Sequence, residues 1–481
     1  MATAMSTPDQ IPSFSNTPSQ DYPRTTSPTS LHLVYEVERC VTWIKECNLN
    51  RVALQFPDYL LHDAPSVSAA IQDKLGQEVF ILGEFFCRIM IKQIKTLFIG
   101  DTSYGECCVD EVAASHLAAD GVIHFGHTCL TPSQTLPVMY VFTRRECGKE
   151  LLVKELLEKL GGKVDKVVLL YDVEYQHELG DLEVEGLEVV VGQCSEEGQG
   201  VKKFGRTFKI DSTDCLDGYT VVYVGRGGQI LLNFMYNLPK SEFLVFENSN
   251  LIPAGVPVSK MLMKRYFLVE KTKDAERIGL LVGTLGTSNY GDILDKLRST
   301  IKNAGKKVYT FLVGKPNVAK LANFPEIDVF VLVACPETSI LDSKEFLQPI
   351  ITPYELELAC NKGQEWSGQL VTDYRDLLSG GEKFTEVTEP AEFEEDGDVS
   401  LISGKVRSLG LRSVGEGEGE LVIVNNKTVS LIHEKGGGQF LAGRSWGGLE
   451  QKLGKTEVGE VVEGRKGVAS GYEGEPGHSV T

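Results

Sequence analysis

Three successive parallel-sheet units of the α/β class are what this sequence predicts, and three observations carry that reading. Short apolar runs that stop at Gly, Pro or Cys alternate with segments of helical period. The rhythm restarts near residue 147 and again near residue 263, an internal repeat of architecture more than of sequence. A length of 481 residues also suits several cores better than one. The expected units are 34–146, 147–262 and 263–380, between a disordered tail over 1–33 and a partly ordered, acidic and Gly-rich tail over 381–481.

In the first unit, apolar positions from Tyr35 to Leu49 recur at helical spacing, and Arg51-Val-Ala-Leu-Gln-Phe-Pro57 reads as a short buried strand closed by proline. A helix from about Ser66 to Leu75 leads to a strand at Glu78-Val-Phe-Ile-Leu-Gly83. The loop Gly100 to Asp110, with its adjacent thiols Cys107 and Cys108, should come next. Residues 84–100 intervene, however, and end in Leu97-Phe-Ile-Gly100, a near copy of Phe80-Ile-Leu-Gly83. Either one copy forms the strand and the other is extruded, or the segment is a translated intron that the working protein lacks; the second reading is adopted.

After the thiol pair come a short helix over 110–119, a strand ending at Cys129, and the strand Val138–Phe142. The second unit reads as a helix over 149–160 and strands Lys166–Tyr171, Leu187–Gly192 and Thr220–Gly225. The third reads as strand Arg277–Gly283, a helix over 291–304, strand Lys307–Val313, and a strand that begins at Asp328 and ends at Cys335.

The formal charge of −19 argues against sequence-independent binding to nucleic acid and suits a partner with a basic face. Eleven cysteines, an odd number scattered over a long chain, are no secreted disulfide framework, so the reducing cytoplasm is the expected compartment. No apolar run reaches membrane-spanning length, and no membrane partner is expected. The first thirty residues lack a signal core, and with Arg24 as their only base against Asp9 and Asp21 they do not resemble a mitochondrial presequence.

Any one cysteine is by default a small buried hydrophobe. Here three segments end alike: Cys107-Cys108, Gly121-Val-Ile-His-Phe-Gly-His-Thr-Cys129, and Asp328-Val-Phe-Val-Leu-Val-Ala-Cys335-Pro336. In open α/β sheets ligands gather beyond the carboxyl ends of strands, so such thiols face a crevice. Adjacent cysteines rarely pair with one another, which turns the first two outward. Thiolates converging from separate segments suit zinc or an iron–sulfur cluster, and the missing Cys-x-x-Cys spacing weakens zinc. Three thiolates on four irons would leave one iron open to a small ligand such as S-adenosylmethionine, whereas full ligation would favour plain electron transfer. Gly283-Thr-Leu-Gly286 and Gly225-Arg-Gly-Gly228 lack the full dinucleotide fingerprint and read as structural turns. His124 and His127 could act as donors or bases but more often serve as hydrogen-bonded structural residues; Cys194, Cys215 and Cys360 read as core or surface thiols.

Taken together, Arg51-Val-Ala-Leu-Gln-Phe-Pro-Asp58, Asp101-Thr-Ser-Tyr-Gly-Glu-Cys-Cys-Val-Asp110, His124-Phe-Gly-His-Thr-Cys129, Lys320-Leu-Ala-Asn-Phe-Pro-Glu-Ile-Asp-Val-Phe330, Val333-Ala-Cys-Pro336 and Gln348-Pro-Ile-Ile-Thr-Pro-Tyr-Glu355 resemble the diphthamide synthase family. The resemblance runs from about Val34 to Cys360, and Arg444-Ser-Trp-Gly-Gly-Leu449 and Gly464-Arg-Lys-Gly-Val-Ala469 extend it. It implies three similar α/β domains around a central 4Fe–4S cluster. It also implies a heterodimer with a catalytic sister subunit, which transfers a 3-amino-3-carboxypropyl group from S-adenosylmethionine to a histidine of translation elongation factor 2 by radical chemistry. A small iron-containing protein supplies the electrons.

The ligands it implies are Cys108 or its neighbour Cys107, with Cys129 and Cys335. The catalytic sister takes a ligand from its middle domain, where this chain reads Val191-Gly-Gln-Cys194-Ser-Glu-Glu, displaced by one residue and with other neighbours. The reading is therefore an accessory, electron-relaying subunit with no catalytic residue of its own; a catalytically competent homodimer and a metal-free scaffold are the alternatives. If residues 84–100 are a translated intron, peptide mass spectrometry of the working protein should find Gly83 joined directly to Asp101. A peptide containing Cys87 would refute this.

Overall fold

The structure is a computed structural model that describes residues 26–75, 95–99 and 107–387, the last apart from 134, 163, 165, 195–199, 211–215, 217, 226, 255–257, 285 and 342–344, and beyond 387 only short segments. Three sheets follow one another along the chain, each built mainly of parallel strands with helices on its faces.

Helices α1 (Pro28–Val34) and α2 (Val37–Glu46) precede strand β1 (Arg51–Gln55), α3 (Ala64–Leu75), β2 (Lys95–Ile99), α4 (Glu111–His116), β3 (Gly121–Phe125) and β4 (Val138–Val141). All four strands are parallel, in the order β2-β1-β3-β4. Val52 and Leu54 of β1 turn to one face, where they pack with Tyr35, Ile44 and Ile71 of the helical layer, while Ala53 turns to the other and meets Ala114 of α4. This is the period-two alternation of a strand buried on both sides. The rings of Phe56 and Phe125, one residue past β1 and at the end of β3, stack with centroids 4.3 Å apart and thereby fix the two strand ends side by side.

The second sheet follows α5 (Lys149–Leu160) and holds β5 (Lys166–Tyr171), β6 (Glu188–Val191), β9 (Thr220–Val224), β10 (Glu242–Glu247) and β11 (Asn250–Pro253); α6 (Gln176–Leu179) and α7 (Gln229–Asn237) lie between them in sequence. Its order is β11-β10-β9-β5-β6, parallel except for the antiparallel edge strand β11. A separate hairpin, β7 (Val201–Lys203) and β8 (Arg206–Phe208), is inserted after β6. Leu152, Leu156 and Leu160 of α5 cover one face, and Phe234 and Met235 of α7 the other.

The third sheet holds β12 (Arg277–Val282), β13 (Lys307–Leu312), β14 (Val329–Val333) and β15 (Ile350–Ile351), with α8 (Val258–Lys273), α9 (Tyr290–Asn303), α10 (Val318–Ala322) and α11 (Pro353–Cys360) around it. The order is β13-β12-β14-β15, all parallel. Proline at the first position and a capping box between Thr352 and Glu355 start α11. Glu355 also takes both arms of the Arg265 guanidinium from α8, at 2.6 Å through Nε and through a second, shorter contact from Nη2, with both side chains buried.

After these come the short strands β16 (Asp398–Val399), β17 (Val406–Arg407), β18 (Leu421–Val424) and β19 (Thr428–Leu431), paired β16 with β17 and β18 with β19. Residues His433–Thr481 form a separate unit whose described part is the antiparallel pair β20 (Gly467–Val468) and β21 (Gly471–Tyr472). Among the described residues no helix is long and apolar enough to cross a membrane.

Three expectations change, and a fourth falls outside the described residues. Residues 28–33, assigned to the disordered tail, belong to α1, which buries Leu31 in the first core. The strand expected at 78–83 lies outside the described residues, as does most of the segment 84–100; its final copy, Leu97-Phe98-Ile99, is the strand that pairs with β1. The strand before Cys129 stops at Phe125, because Gly126 turns the chain out of the sheet with φ of 84°. The strand before Cys335 likewise stops two residues short, at Val333.

Arg265→Met would strand the Glu355 carboxylate in the core. A loss of about 3 kcal/mol is expected, read as a lower urea midpoint at unchanged slope.

Candidate metal centre

Parallel strands of one sheet end on the same edge, so the loops after β1, β2 and β3 are neighbours there. Gln55, the last residue of β1, is almost wholly buried, and its side-chain amide spans the cysteine loop: Nε2 donates to the Cys108 carbonyl at 2.8 Å and Oε1 accepts from the Asp110 backbone at 3.0 Å. Asp110 then caps α4 by accepting from the Ala113 backbone at 2.9 Å. The backbone just after the thiol pair is thereby held in place. The backbone N–H of Cys129 donates to the Cys107 carbonyl at 3.2 Å, which ties the third thiol to the same loop.

Cys335 arrives from the third sheet on the turn after β14, where Thr338 donates its backbone N–H to the Cys335 carbonyl at 3.1 Å and places its hydroxyl 3.1 Å from Sγ. The third sheet closes on the first a second time at Gly286, after β12. A Cβ there would run into the Val109 carbonyl, so only glycine permits the approach.

The four sulfur atoms of Cys107, Cys108, Cys129 and Cys335 all lie within 4.8 Å of one another. Sγ of Cys107 is 3.5 Å from that of Cys335 and 3.9 Å from that of Cys108, and Cys108 is 3.8 Å from Cys129. All four are buried, with Cys335 at 0% and Cys129, the most open, at 8% exposure. Neither member of the adjacent pair is turned away, so the choice between Cys107 and Cys108 does not arise from geometry.

Mutual hydrogen bonding polarises the group. Donation from Cys107, Cys108 and Cys129 holds Cys335 well below the ordinary thiol range, while the neighbouring thiols and burial push Cys107 well above it. A dry pocket that concentrates ionisable sulfur in this way is a strong site for a thiophilic cation.

Of the remaining candidates, His127 pairs with Glu337 at 2.7 Å, joining the loop of Cys129 to that of Cys335. Burial works against the imidazolium, but the Glu337 carboxylate outweighs it and raises the His127 pKa to about 9. His124 lies in β3, fully buried, with its ring 5.9 Å from that of Tyr140. Cys194 stands outside the four: its sulfur accepts from Arg206 Nη1 at 2.7 Å, and burial pushes its pKa up to about 11. Cys360 belongs to the core of the third sheet, and Cys215 lies outside the described residues. Gln55 and Gly286 were missed as site residues. A lone amide at the end of the apolar run Val52-Ala-Leu54 was the available signal for Gln55.

The profile described as "Putative diphthamide synthesis protein" matches residues 56–371. The 2-(3-amino-3-carboxypropyl)histidine synthase subunit 2 of Danio rerio is 41% identical over 476 residues, covering 92% of each chain. The protein of the same name from Xenopus laevis is 42% identical over 459 residues, again 92% of each. The human one is 35% identical over 473 residues, 92% of this chain and 93% of its own. Among solved structures, Dph2 from Pyrococcus horikoshii with a 4Fe-4S cluster superposes with a TM-score of 0.52 at 19% identity, over 70% of this chain and 94% of that one, and shares the fold.

Gln55→Leu removes both halves of the clamp on the cysteine loop. Two buried backbone groups lose partners, so a cost on the order of 2 kcal/mol is expected, together with faster hydrogen exchange at the Asp110 amide while that of Val52, inside β1, keeps its protection.

Proposed function

Since this chain belongs to the diphthamide synthesis family, we propose that it is the accessory iron–sulfur subunit of the enzyme that forms 2-(3-amino-3-carboxypropyl)histidine. In this reading it pairs with a catalytic sister subunit, receives electrons from a small iron-containing protein, and supports transfer of the 3-amino-3-carboxypropyl group from S-adenosylmethionine to a histidine of translation elongation factor 2 in the cytoplasm. The observation that carries it is the convergence of four cysteine sulfurs, three from the first sheet's loops and one from the third's, within 4.8 Å.

Cys107, Cys108, Cys129 and Cys335 are the residues that would hold a 4Fe–4S cluster, and the donor set fits: all sulfur, buried, and with Cys335 held well below the ordinary thiol range by its neighbours. Such a cluster supplies one-electron transfer. Were all four thiolates bound to it, no iron would be left open to a substrate, and the presence of a fourth thiol supports a relaying role over a catalytic one. Burial excludes water from the sulfurs, and Thr131 and Thr338, whose hydroxyls lie 3.2 Å and 3.1 Å from Cys129 and Cys335, orient two of the ligands.

A second reading is favoured by one measurement. Three of the six sulfur separations, 3.5 to 3.9 Å, match the edge of about 3.8 Å of a tetrahedron around a single zinc ion with bonds of about 2.3 Å, and all six lie within 4.8 Å. A cuboidal cluster is wider, and the loops would have to part to admit it.

Anaerobic reconstitution with metal counting decides between them. Iron and sulfide in equal amounts with a brown colour support the cluster; one zinc without sulfide supports the single ion; neither leaves the scaffold. Cys129→Ser and Cys335→Ser are each expected to lower iron and sulfide and bleach the colour while far-UV circular dichroism is kept, and unchanged metal content would refute the ligand set. Modification of the elongation factor by this chain alone would favour the homodimer.

A further inference from the structure

The middle sheet gives no sulfur to the four-thiol group, yet it reaches that group by another route. In the hairpin of β7 and β8, Lys203 pairs with Arg206, which leaves Phe204 and Gly205 as a two-residue turn with φ of 58° and 66°. Two left-handed residues in succession make the tight turn that matches strand twist, and glycine suits the second. The tip does not point to solvent. A Cβ on Gly205 would stand 2.7 Å from the Cys129 carbonyl oxygen and 3.4 Å from Cβ of Leu130, so the turn is pressed onto the backbone that carries the third thiol.

The hairpin is fastened on every side. Thr207 exchanges backbone hydrogen bonds with Gln193 at 2.9 and 3.0 Å, and Phe208 is fully buried. Lys203 pairs with Glu382 at 2.7 Å. Arg206, only 4% exposed, donates to the Tyr171 carbonyl at 2.9 Å and to the Cys194 sulfur at 2.7 Å. Cys194 is itself fixed, since its backbone N–H donates to Gln176 Oε1 at 2.7 Å, an atom that also accepts from the Tyr171 hydroxyl at 2.8 Å.

We infer that the hairpin of residues 201–208 is a cover over Cys129, and that Cys194 is a positioning residue that pins it through Arg206 instead of binding metal. The cover keeps solvent and oxidants from the most open of the four thiols. The middle sheet thus protects the site that the other two build. The inference rests on the four thiols being the metal centre of the proposed function, but its first test needs no metal.

In metal-free full-length protein kept reduced, the rate of iodoacetamide alkylation at each cysteine is followed by peptide mass spectrometry. Gly205→Val should raise the rate at Cys129 several-fold and leave that of Cys360, at the end of α11 in another core, unchanged. An unchanged rate at Cys129 overturns the inference. Should Gly205→Val expose Cys360 as well, the variant is globally loosened and Cys194→Ala decides: faster alkylation of Cys129 supports the cover, and an unchanged rate overturns it. After anaerobic reconstitution Cys194→Ala should bind as much metal as the parent and lose its colour faster in air; a lower metal content would make Cys194 a ligand and overturn its role as a pin. If the parent itself takes up no metal, the proposed function fails while the alkylation result stands on its own.

Discussion

Gathering four thiols where water is excluded is unfavourable on its own account, because neutral thiols are weak hydrogen-bond partners and thiolates repel one another. The approach of all four sulfurs to within 4.8 Å of one another must therefore be imposed by the backbone. The polypeptide imposes it with strand ends. The edge that holds Gln55 and Phe125 also holds the cysteine loop, a single amide side chain bridges that loop, and a glycine after β12 lets the third sheet come close enough to deliver Cys335. Each of these parts is ordinary. Their common address, beyond the carboxyl ends of parallel strands, is what makes a site of them.

The rhythm of the sheets was legible because β1, β5, β12 and β14 are continuous apolar runs bounded by turn residues, and a strand buried on both faces leaves that mark. Convergence of the cysteines was legible for the same reason. The hairpin β7–β8 was not: Lys202-Lys203-Phe204-Gly205-Arg206 carries three cations where strands usually carry apolar residues, and Lys203 and Arg206 find their partners in Glu382, Tyr171 and Cys194, outside the hairpin. Helix α8 also escaped, since Met263, Tyr266 and Phe267 are exposed on it while Arg265 is buried, an inversion of the usual amphipathic signal. Whether one or both of the adjacent cysteines would face inward could not be read either, because alternation holds in strands and fails in a loop.

Charge near the site is arranged in pairs that join separate elements. His127 with Glu337 links the first sheet's loop to the third's, and Lys203 with Glu382 links the hairpin to the segment that returns after α11. Neither pair brings a cation into hydrogen-bond contact with the four sulfurs. His127 and Arg375 nevertheless lie within electrostatic reach of Cys129.

Cys107 and Cys335 are 228 positions apart in sequence although their sulfurs touch. Ribosomal synthesis runs from one end, so the first sheet and its three thiols exist for a long interval before the fourth emerges. During that interval the early thiols lack their fourth member. The four-thiol set is thus complete only once the third sheet has been made.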